Sequence, residues 1–258
     1  MKDILDKKSV KEIRIHQINY YQKFLFNRKS LSNIKMFNFS KINNDTIFKV
    51  NIHKISGYEG HYYFSGSNPL VKTAQQILNN SNLKLNDSYL FKYYQQFQPK
   101  TYGELYYLKK ENKLHQIEST NIFHPWFHSK PTNQFNCGLF GPKDNSNVLH
   151  RMLRIKNIIT NISKFGYKPT PNDMIEGYIL LKKNDYRFVI TAGHHRVAVL
   201  TAIFMKDNSK FNNLIVKYDI TRIKIKIVRE CEVNEWPGVL SGYLNRKDAL
   251  EIFHSYFS

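Results

Sequence analysis

Cysteine is scarce in this chain of 258 residues: there are two, Cys137 and Cys231, and their spacing fits neither a metal site nor a redox motif. A disulfide framework is therefore excluded, and a reducing compartment is expected. Long hydrophobic runs are also missing, because the longest strongly apolar one, residues 197–205, is far too short to span a membrane. The first residues contain no apolar segment of the kind found in secretory signals. We therefore expect a cytoplasmic location.

Acidic residues are few relative to basic ones. The chain has 39 lysines and arginines against 20 aspartates and glutamates, which gives a formal net charge of +19. Such an excess favours a partner that carries phosphates, whether nucleotide, nucleic acid or anionic lipid. An AT-rich gene would also produce it, since the chain is rich in Lys, Asn, Ile, Tyr and Phe. The basic residues are scattered rather than clustered in runs, so nucleic acid is an alternative partner and not the favoured one.

Hydrophobic residues (41%) and aromatic residues (14%) are abundant enough for a folded protein with an ordinary core. We predict an α+β fold in three parts. Residues 1–140 form a mainly helical N-terminal region with aromatic loops. Residues 141–230 form a core with a mixed sheet, and residues 231–258 form a turn and a helix that pack on the core. Within the first part, residues 1–35 are predicted to be helical and residues 46–55 to form a strand.

The most informative stretch is residues 174–205. Two β-rich runs, residues 174–181 and 186–191, are joined by a polar turn, and residues 197–205 continue as a helix. Gly193 lies between the second strand and the helix. A glycine at the end of a strand permits backbone torsions that a side chain would forbid.

The residues that follow Gly193 carry positive charge or can acquire it. His194, His195 and Arg196 open the helix, and we refer to these three and Gly193 as the 193–196 turn. The first N–H groups of a helix favour an anion, usually a phosphate, and basic side chains add charge-assisted donors. We therefore predict an anion site here. In the alternative interpretation, Gly193 merely ends a strand and the histidines are surface or capping residues.

At these residues the chain resembles a known superfamily. The sequence GHHRVAVL at residues 193–200 resembles the Gly-His-His-Arg signature of the ParB/sulfiredoxin-like superfamily. Upstream, the predicted helix over residues 148–164, the sequence GYKP and a strand resemble that family's lead-in. The resemblance covers roughly residues 145–228 and implies a ParB/sulfiredoxin-like mixed-sheet core.

The resemblance also implies nucleotide binding. In family members the glycine and the following amides hold nucleotide phosphates and the arginine supports them, at the positions of Gly193, His194, His195 and Arg196 here. The implied ligand is a nucleoside triphosphate, ATP or CTP, together with Mg²⁺. The implied activity is kinase-like phosphotransfer to a small hydroxylated substrate, or nucleotide hydrolysis.

This chain departs from the family pattern at three points. Kinase-like members have Asp before the glycine, where this chain has Ala192. Sulfiredoxin has Cys immediately before its His-Arg pair, where this chain has His194, so sulfiredoxin chemistry is not expected. Only 30 residues follow Val228, too few for the helix-turn-helix domain with which ParB binds DNA.

Two residues are candidate catalytic groups, Glu176 and His195. Glu176 is a carboxylate in an otherwise apolar strand, and such a group is costly to bury without a partner. It could act as general base toward a hydroxyl, or form a structural ion pair with Arg196 or a histidine, or lie exposed on an edge strand.

Residues 111–143 form the least regular segment. His124 and His128 are spaced as metal ligands on a helix would be, but no third ligand accompanies them, so no metal site is predicted. The segment is a structural connector or else the rim of a nucleotide pocket.

Other local signals predict the remaining elements. Asn68 followed by proline is a helix start, Asp87 is predicted to cap the next helix, and Gly166 ends the helix over residues 148–164. Arg151 of that helix could reach a phosphate. A short helix is expected over residues 102–109, strands over 214–219 and 222–229, a turn at 236–238 and a last helix over 246–257.

Two further functions remain open. The protein could be a non-catalytic module that responds to a nucleotide, or a nucleic-acid-binding protein or nuclease. Residues 236–257, together with the 193–196 turn, also weakly resemble uncharacterised ParB-like proteins associated with surface-polysaccharide synthesis, which would make the chain an accessory module there.

Overall fold

The computed structural model describes residues 29–30, 47–58, 62–64, 67–119, 121–131, 140–169, 174–183, 185–207, 213–217 and 227–257. The helix predicted within residues 1–35 lies outside the described residues, except that Lys29–Ser30 form a short strand. Most of the strand predicted over residues 222–229 also lies outside them.

Seven strands and seven α-helices are found in the described part of the chain. The strands are β1 (Lys29–Ser30), β2 (Ile47–Asn51), β3 (Ile55–Ser56), β4 (Ile175–Lys182), β5 (Asp185–Ala192), β6 (Asn213–Lys217) and β7 (Ile227–Arg229). The helices are α1 (Pro69–Asn79), α2 (Tyr89–Gln96), α3 (Tyr102–Leu105), α4 (Asn145–Phe165), α5 (His194–Lys206), α6 (Pro237–Leu240) and α7 (Arg246–Ser255). The predicted α+β class is confirmed.

The strands form one mixed sheet in the order β1-β2-β6-β4-β5-β3, and β7 also pairs with β4. The central strand, β4, is antiparallel to β5 along its whole length, parallel to β6 at its start and parallel to β7 at its end. Strands from both residues 1–140 and residues 141–230 therefore belong to the same sheet. The narrower assignment to a ParB/sulfiredoxin-like core stays a prediction.

The sheet is strongly curved between β2 and β3. Four strand spacings separate these two strands in the sheet order, which would be about 19 Å if the sheet were flat. Only the single turn Ile52–Lys54 connects them along the chain, and four residue steps reach at most about 14 Å. The strand predicted over residues 46–55 is therefore two strands, and the turn explains why Ile55 is out of phase with the alternation of β2.

Helices cover both faces of the sheet. On one face α1, α2, α4 and α5 enclose a core that includes Ile175, Ile179 and Phe188 of the central strands. On the other face, α3, α7 and the loop around Trp126 enclose a second, aromatic core that includes Tyr178. Successive side chains of β4 enter the two cores in turn, as expected for a strand that is buried on both faces.

Capping side chains fix the starts of the helices. Asn68 accepts hydrogen bonds from the N–H groups of Leu70 and Val71, as its position before a proline predicts. The predicted cap of α2 was wrong by one residue. Ser88, not Asp87, accepts from the N–H of Phe91, because Asp87 ends a short 3₁₀ turn just before the helix.

Several predicted boundaries are shorter or longer in the structure. α4 begins three residues before the predicted start and ends at Phe165, and Gly166 follows it with φ +70° and ψ 172°, a backbone conformation that glycine adopts readily. α3 is a single turn, and Pro237 opens the short helix α6 where a turn was predicted. None of the described helices is both long and apolar enough to cross a membrane.

Candidate functional site

The predicted strand–glycine–helix corner is present in the structure. β5 ends at Ala192 and α5 begins at His194, and Gly193 between them has a φ of +93°. A Cβ atom at Gly193 would lie 3.1 Å from Cγ1 of Ile175 and 3.3 Å from its Cα atom. Glycine is therefore required both by the torsion and by the close approach of β4. No side chain caps α5, and the first N–H groups of an α-helix have no acceptor within the helix itself.

A cleft opens at this corner, between the start of α5 and the middle of α4. Its volume is about 310 Å³, and its lining residues are Arg154, Ile158, Gly193, His194, His195 and Arg196. Two of these residues are arginines and two are histidines, while none is a carboxylate, among the residues that the structure describes. The whole 193–196 turn thus lies in one concave and strongly basic place.

His194 faces back into the protein. Its Nδ1 atom lies 2.8 Å from the hydroxyl oxygen of Tyr63, and its ring also hydrogen-bonds the carbonyl of Thr191. Burial, opposed by that hydrogen bond and reinforced by the charge of Arg151, lowers the pKa of His194 to about 4. The imidazole is therefore neutral near pH 7, and the part of His194 that is left to hold an anion is its backbone N–H.

His195 faces α4, where basic side chains surround it. Burial first, and then the charges of Arg151, Arg154 and His194, lower the pKa of His195 to about 3. Its Nε2 atom is sealed from solvent and has no hydrogen-bond partner among the described residues. A buried polar atom without a partner is unusual in a folded protein, and here it lies on the side chain of a cleft residue.

The arginines reach the cleft from two elements. Arg154 extends from the exposed face of α4, and Arg196 lies half-buried at the start of α5, with Nη2 3.5 Å from the carbonyl oxygen of Met174. The sequence led us to expect Arg151, and not Arg154, as a possible phosphate contact. Arg154 and Ile158 are four residues apart and so lie on one face of α4, but the sequence does not show that this face meets the 193–196 turn. Arg151 instead lies over the ring of Tyr94, 5.9 Å from its centre.

Glu176 lies next to the corner along the chain but not in the cleft. It pairs with Ala192 at the end of β5, beside a bulge. Its neighbours Ile175 and Gly177 face the α5 side of the sheet, whereas Tyr178 belongs to the aromatic core on the opposite side. The alternation of the strand places Glu176 on that opposite side too. The structure therefore brings His195 but not Glu176 to the basic cleft.

The other histidine pair forms a structural network. His124 is fully buried, and its Nε2 atom lies 2.8 Å from the hydroxyl of Tyr256 and 3.1 Å from the carbonyl oxygen of Tyr58. The hydroxyl of Tyr256 donates to the same carbonyl at 2.8 Å, and Nδ1 of His128 accepts from the backbone N–H of His124. Both histidines are thus committed to protein partners, and no group of three or more metal-ligating side chains exists among the described residues.

Comparison of the chain with protein-family models, with curated proteins and with solved structures found no significant match. The chemistry of the site therefore has to be judged from its own geometry. Among the described residues, the lining of this cleft has two arginines, the start of a helix and no carboxylate, and such a set of donors favours an anion with several oxygen atoms.

Proposed function

We propose that the protein binds a nucleotide and that its phosphates occupy the cleft at the start of α5. One observation carries the proposal: an uncapped helix start behind a left-handed glycine and the guanidinium group of Arg154 line the same cavity. The helix start supplies N–H donors with a partial positive charge. The guanidinium group supplies a full positive charge and a planar pair of donors. Phosphate is the anion that such combinations hold most often in proteins.

The dimensions of the cleft agree with a small molecule. A volume of about 310 Å³ lies at the lower end of the range for ligand pockets, roughly 300–1,000 Å³. The cleft is concave, whereas a protein that grips duplex DNA through its backbone spreads its positive charge along a stripe. Ile158 is the apolar member of the lining, and it offers a surface on which part of a base or sugar can rest.

The resemblance to the ParB/sulfiredoxin-like superfamily supports a nucleotide over a simple phosphate ester, since it rests on the same four residues, Gly193, His194, His195 and Arg196. The phosphotransfer or hydrolysis that the resemblance implies needs more than binding. It needs a base and, for a triphosphate, a divalent cation. Among the described residues, those that line the cleft include no carboxylate for either role, so nucleotide binding is the part of the function that the cleft supports.

Thermal unfolding with ATP, CTP and GTP, each with and without Mg²⁺, tests this proposal. A nucleotide present at a hundred times its dissociation constant stabilises the folded state by about 2.7 kcal/mol. Arg154→Gln should weaken the binding roughly ten- to hundredfold, the usual worth of a charge-assisted hydrogen bond. Lys164→Gln is the matched control, because it removes the same charge from an exposed position near the end of the same helix.

The proposal fails if no nucleotide raises the melting temperature, or if the two substitutions weaken binding equally. Equal weakening would mean that net charge alone attracts the ligand. The nucleic-acid alternative would be supported instead if no nucleotide bound, the protein retained DNA, and each of the two substitutions weakened DNA binding slightly. An assay for released phosphate in the same samples separates hydrolysis from simple binding.

A further inference from the structure

We propose that the cleft recognises a terminal, doubly charged phosphate and that His195 takes up a proton as this phosphate enters. This inference rests on the proposed function, because it names the chemical group and the proton that the same cleft binds. The ligand and a proton would then bind together. The affinity of the cleft for its ligand would therefore depend on pH, even for a ligand whose own charge is the same at every pH tested.

The geometry supplies the first reason. Nε2 of His195 and Nε of Arg151 are both sealed from solvent, and neither has a hydrogen-bond partner among the described residues. His195 lines the cleft, whereas Arg151 does not, so the nitrogen of His195 is the one that a ligand in the cleft can satisfy. An anion with several acceptor oxygens would offer this ring an acceptor. The imidazole of His195 can donate from both nitrogens only when it is protonated.

The electrostatic surroundings supply the second reason. Three basic residues of α4 act on His195, and one acts from its own helix; they are His150, Arg151, Arg154 and His194. Together with burial, these groups lower the pKa of His195 and keep the ring neutral while the cleft is empty. A dianion placed between α4 and α5 reverses the sign of the local field. An opposite charge in contact then favours the protonated imidazole.

Among the described residues, the other elements packed against α5 bring no competing charge to His195. Helix α1 carries Lys72, whose Nζ atom lies over the ring of Tyr89, and β4 carries Glu176 on the opposite face of the sheet. Tyr63, from the segment after β3, contacts the ring of His194. The protonation of the His195 ring therefore depends on the groups on α4, on its neighbours in the 193–196 turn and on the ligand.

The number of donors indicates the class of phosphate. A terminal phosphate presents three free oxygens and a charge of about −1.5 to −2 near pH 7, whereas the phosphodiester of a nucleic acid presents two oxygens and a single charge. The cleft offers three kinds of donor: the first N–H groups of α5, the guanidinium of Arg154 and the ring of His195. These donors match a phosphomonoester, or the last phosphate of a nucleotide, better than they match a diester.

Sulfate is a suitable probe, because it has the shape and charge of a terminal phosphate but does not itself titrate between pH 6 and 8. Titration calorimetry at several pH values should show the dissociation constant of sulfate falling as pH falls, by up to roughly tenfold per pH unit for one proton taken up. His195→Gln should bind sulfate with no such dependence. His150→Gln is the control, since His150 is an exposed histidine of the same cluster, and it should retain the dependence.

The imidazole resonances of His195 in nuclear magnetic resonance spectra provide a direct readout. In sulfate these resonances should report a pKa above 6, against about 3 in the empty protein, with the resonances of His194 unmoved. Methyl phosphate should displace sulfate at lower concentration than dimethyl phosphate does. Sulfate that binds equally well at pH 6 and pH 8, or a diester that competes as well as a monoester, would overturn the inference and leave nucleotide binding standing. Absence of any binding would remove both.

Discussion

The hydroxyl oxygen of Tyr63 lies 2.8 Å from Nδ1 of His194, although 131 residues separate them in the sequence. This contact assigns different roles to two adjacent histidines. His194 is held against the segment after β3, and its ring is taken out of the cleft. His195, one residue later on the helix, keeps an unpartnered nitrogen among the basic residues of α4. The tyrosine thus helps to determine which of the two imidazoles can meet a ligand.

A double-mutant cycle on these two residues measures the contact. Tyr63→Phe removes only the hydroxyl and should lower the free energy of unfolding by about 1 kcal/mol, the usual net value of a buried hydrogen bond. His194→Gln should remove most of the same energy, so the combined variant should be less destabilised than the sum of the two. Urea denaturation gives all three values. Strict additivity would show that the two side chains do not interact.

The sequence predicted the 193–196 turn well because its signals are local. A glycine between an apolar strand and an apolar helix restricts the backbone to few conformations, and the corner is found where it was expected, between β5 and α5. The different surroundings of the two histidines could not be predicted. They depend on Tyr63 and on α4, which come from distant parts of the chain and reach the corner only after the fold has formed.

The same distinction explains the errors elsewhere. Most of residues 46–55 alternate as a single strand would, and the turn at Ile52–Lys54 depends on the different strands with which β2 and β3 pair. The position of Glu176 on a particular face also required knowing which core each face of β4 contacts. Local propensity fixes the type of an element more reliably than it fixes its partners.

Replacement of Gly193 by alanine should impair both folding and anion binding. The residue has a φ of +93°, and the new Cβ would lie 3.1 Å from Ile175, so we expect a loss of stability of at least about 1 kcal/mol. The start of α5 would shift away from β4, and sulfate should bind at least several-fold more weakly. Denaturation and calorimetry measure the two effects separately.

Gly166→Ala is the control for this substitution. Gly166 also has a positive φ, +70°, but a Cβ there would meet nothing within 4 Å, and the residue lies at the far end of α4. It should lose a similar torsional energy of about 1 kcal/mol while its affinity for sulfate stays unchanged. If both variants lost affinity equally, general destabilisation would account for the effect of Gly193→Ala.

Glu176→Gln should leave nucleotide binding intact. The side chain lies on the sheet face opposite the cleft, so removing its charge changes the field at Arg154 and His195 very little. We expect the dissociation constant of the bound nucleotide to change less than twofold, whereas Arg154→Gln weakens binding strongly. A large increase in affinity on neutralising Glu176 would show that its carboxylate acts on the cleft after all, and would return it to the list of site residues.

The stability of the folded protein should fall in mild acid. Burial is the main cause of the low pKa of His124, His194 and His195, at about 3, 4 and 3, while the same side chains titrate near 6.5 in the unfolded chain. Below pH 6.5 the unfolded chain therefore binds protons that the folded protein excludes, and the stability present above that pH is lost as pH falls toward 4. Each histidine contributes a slope of up to about 1.4 kcal/mol per pH unit.

Urea denaturation between pH 7 and 5 in sulfate-free buffer measures this decline in the free energy of unfolding. In His195→Gln the slope should be smaller, because one fewer proton is taken up on unfolding. A free energy of unfolding that stays constant over this range would mean that these imidazoles are not buried in their neutral form.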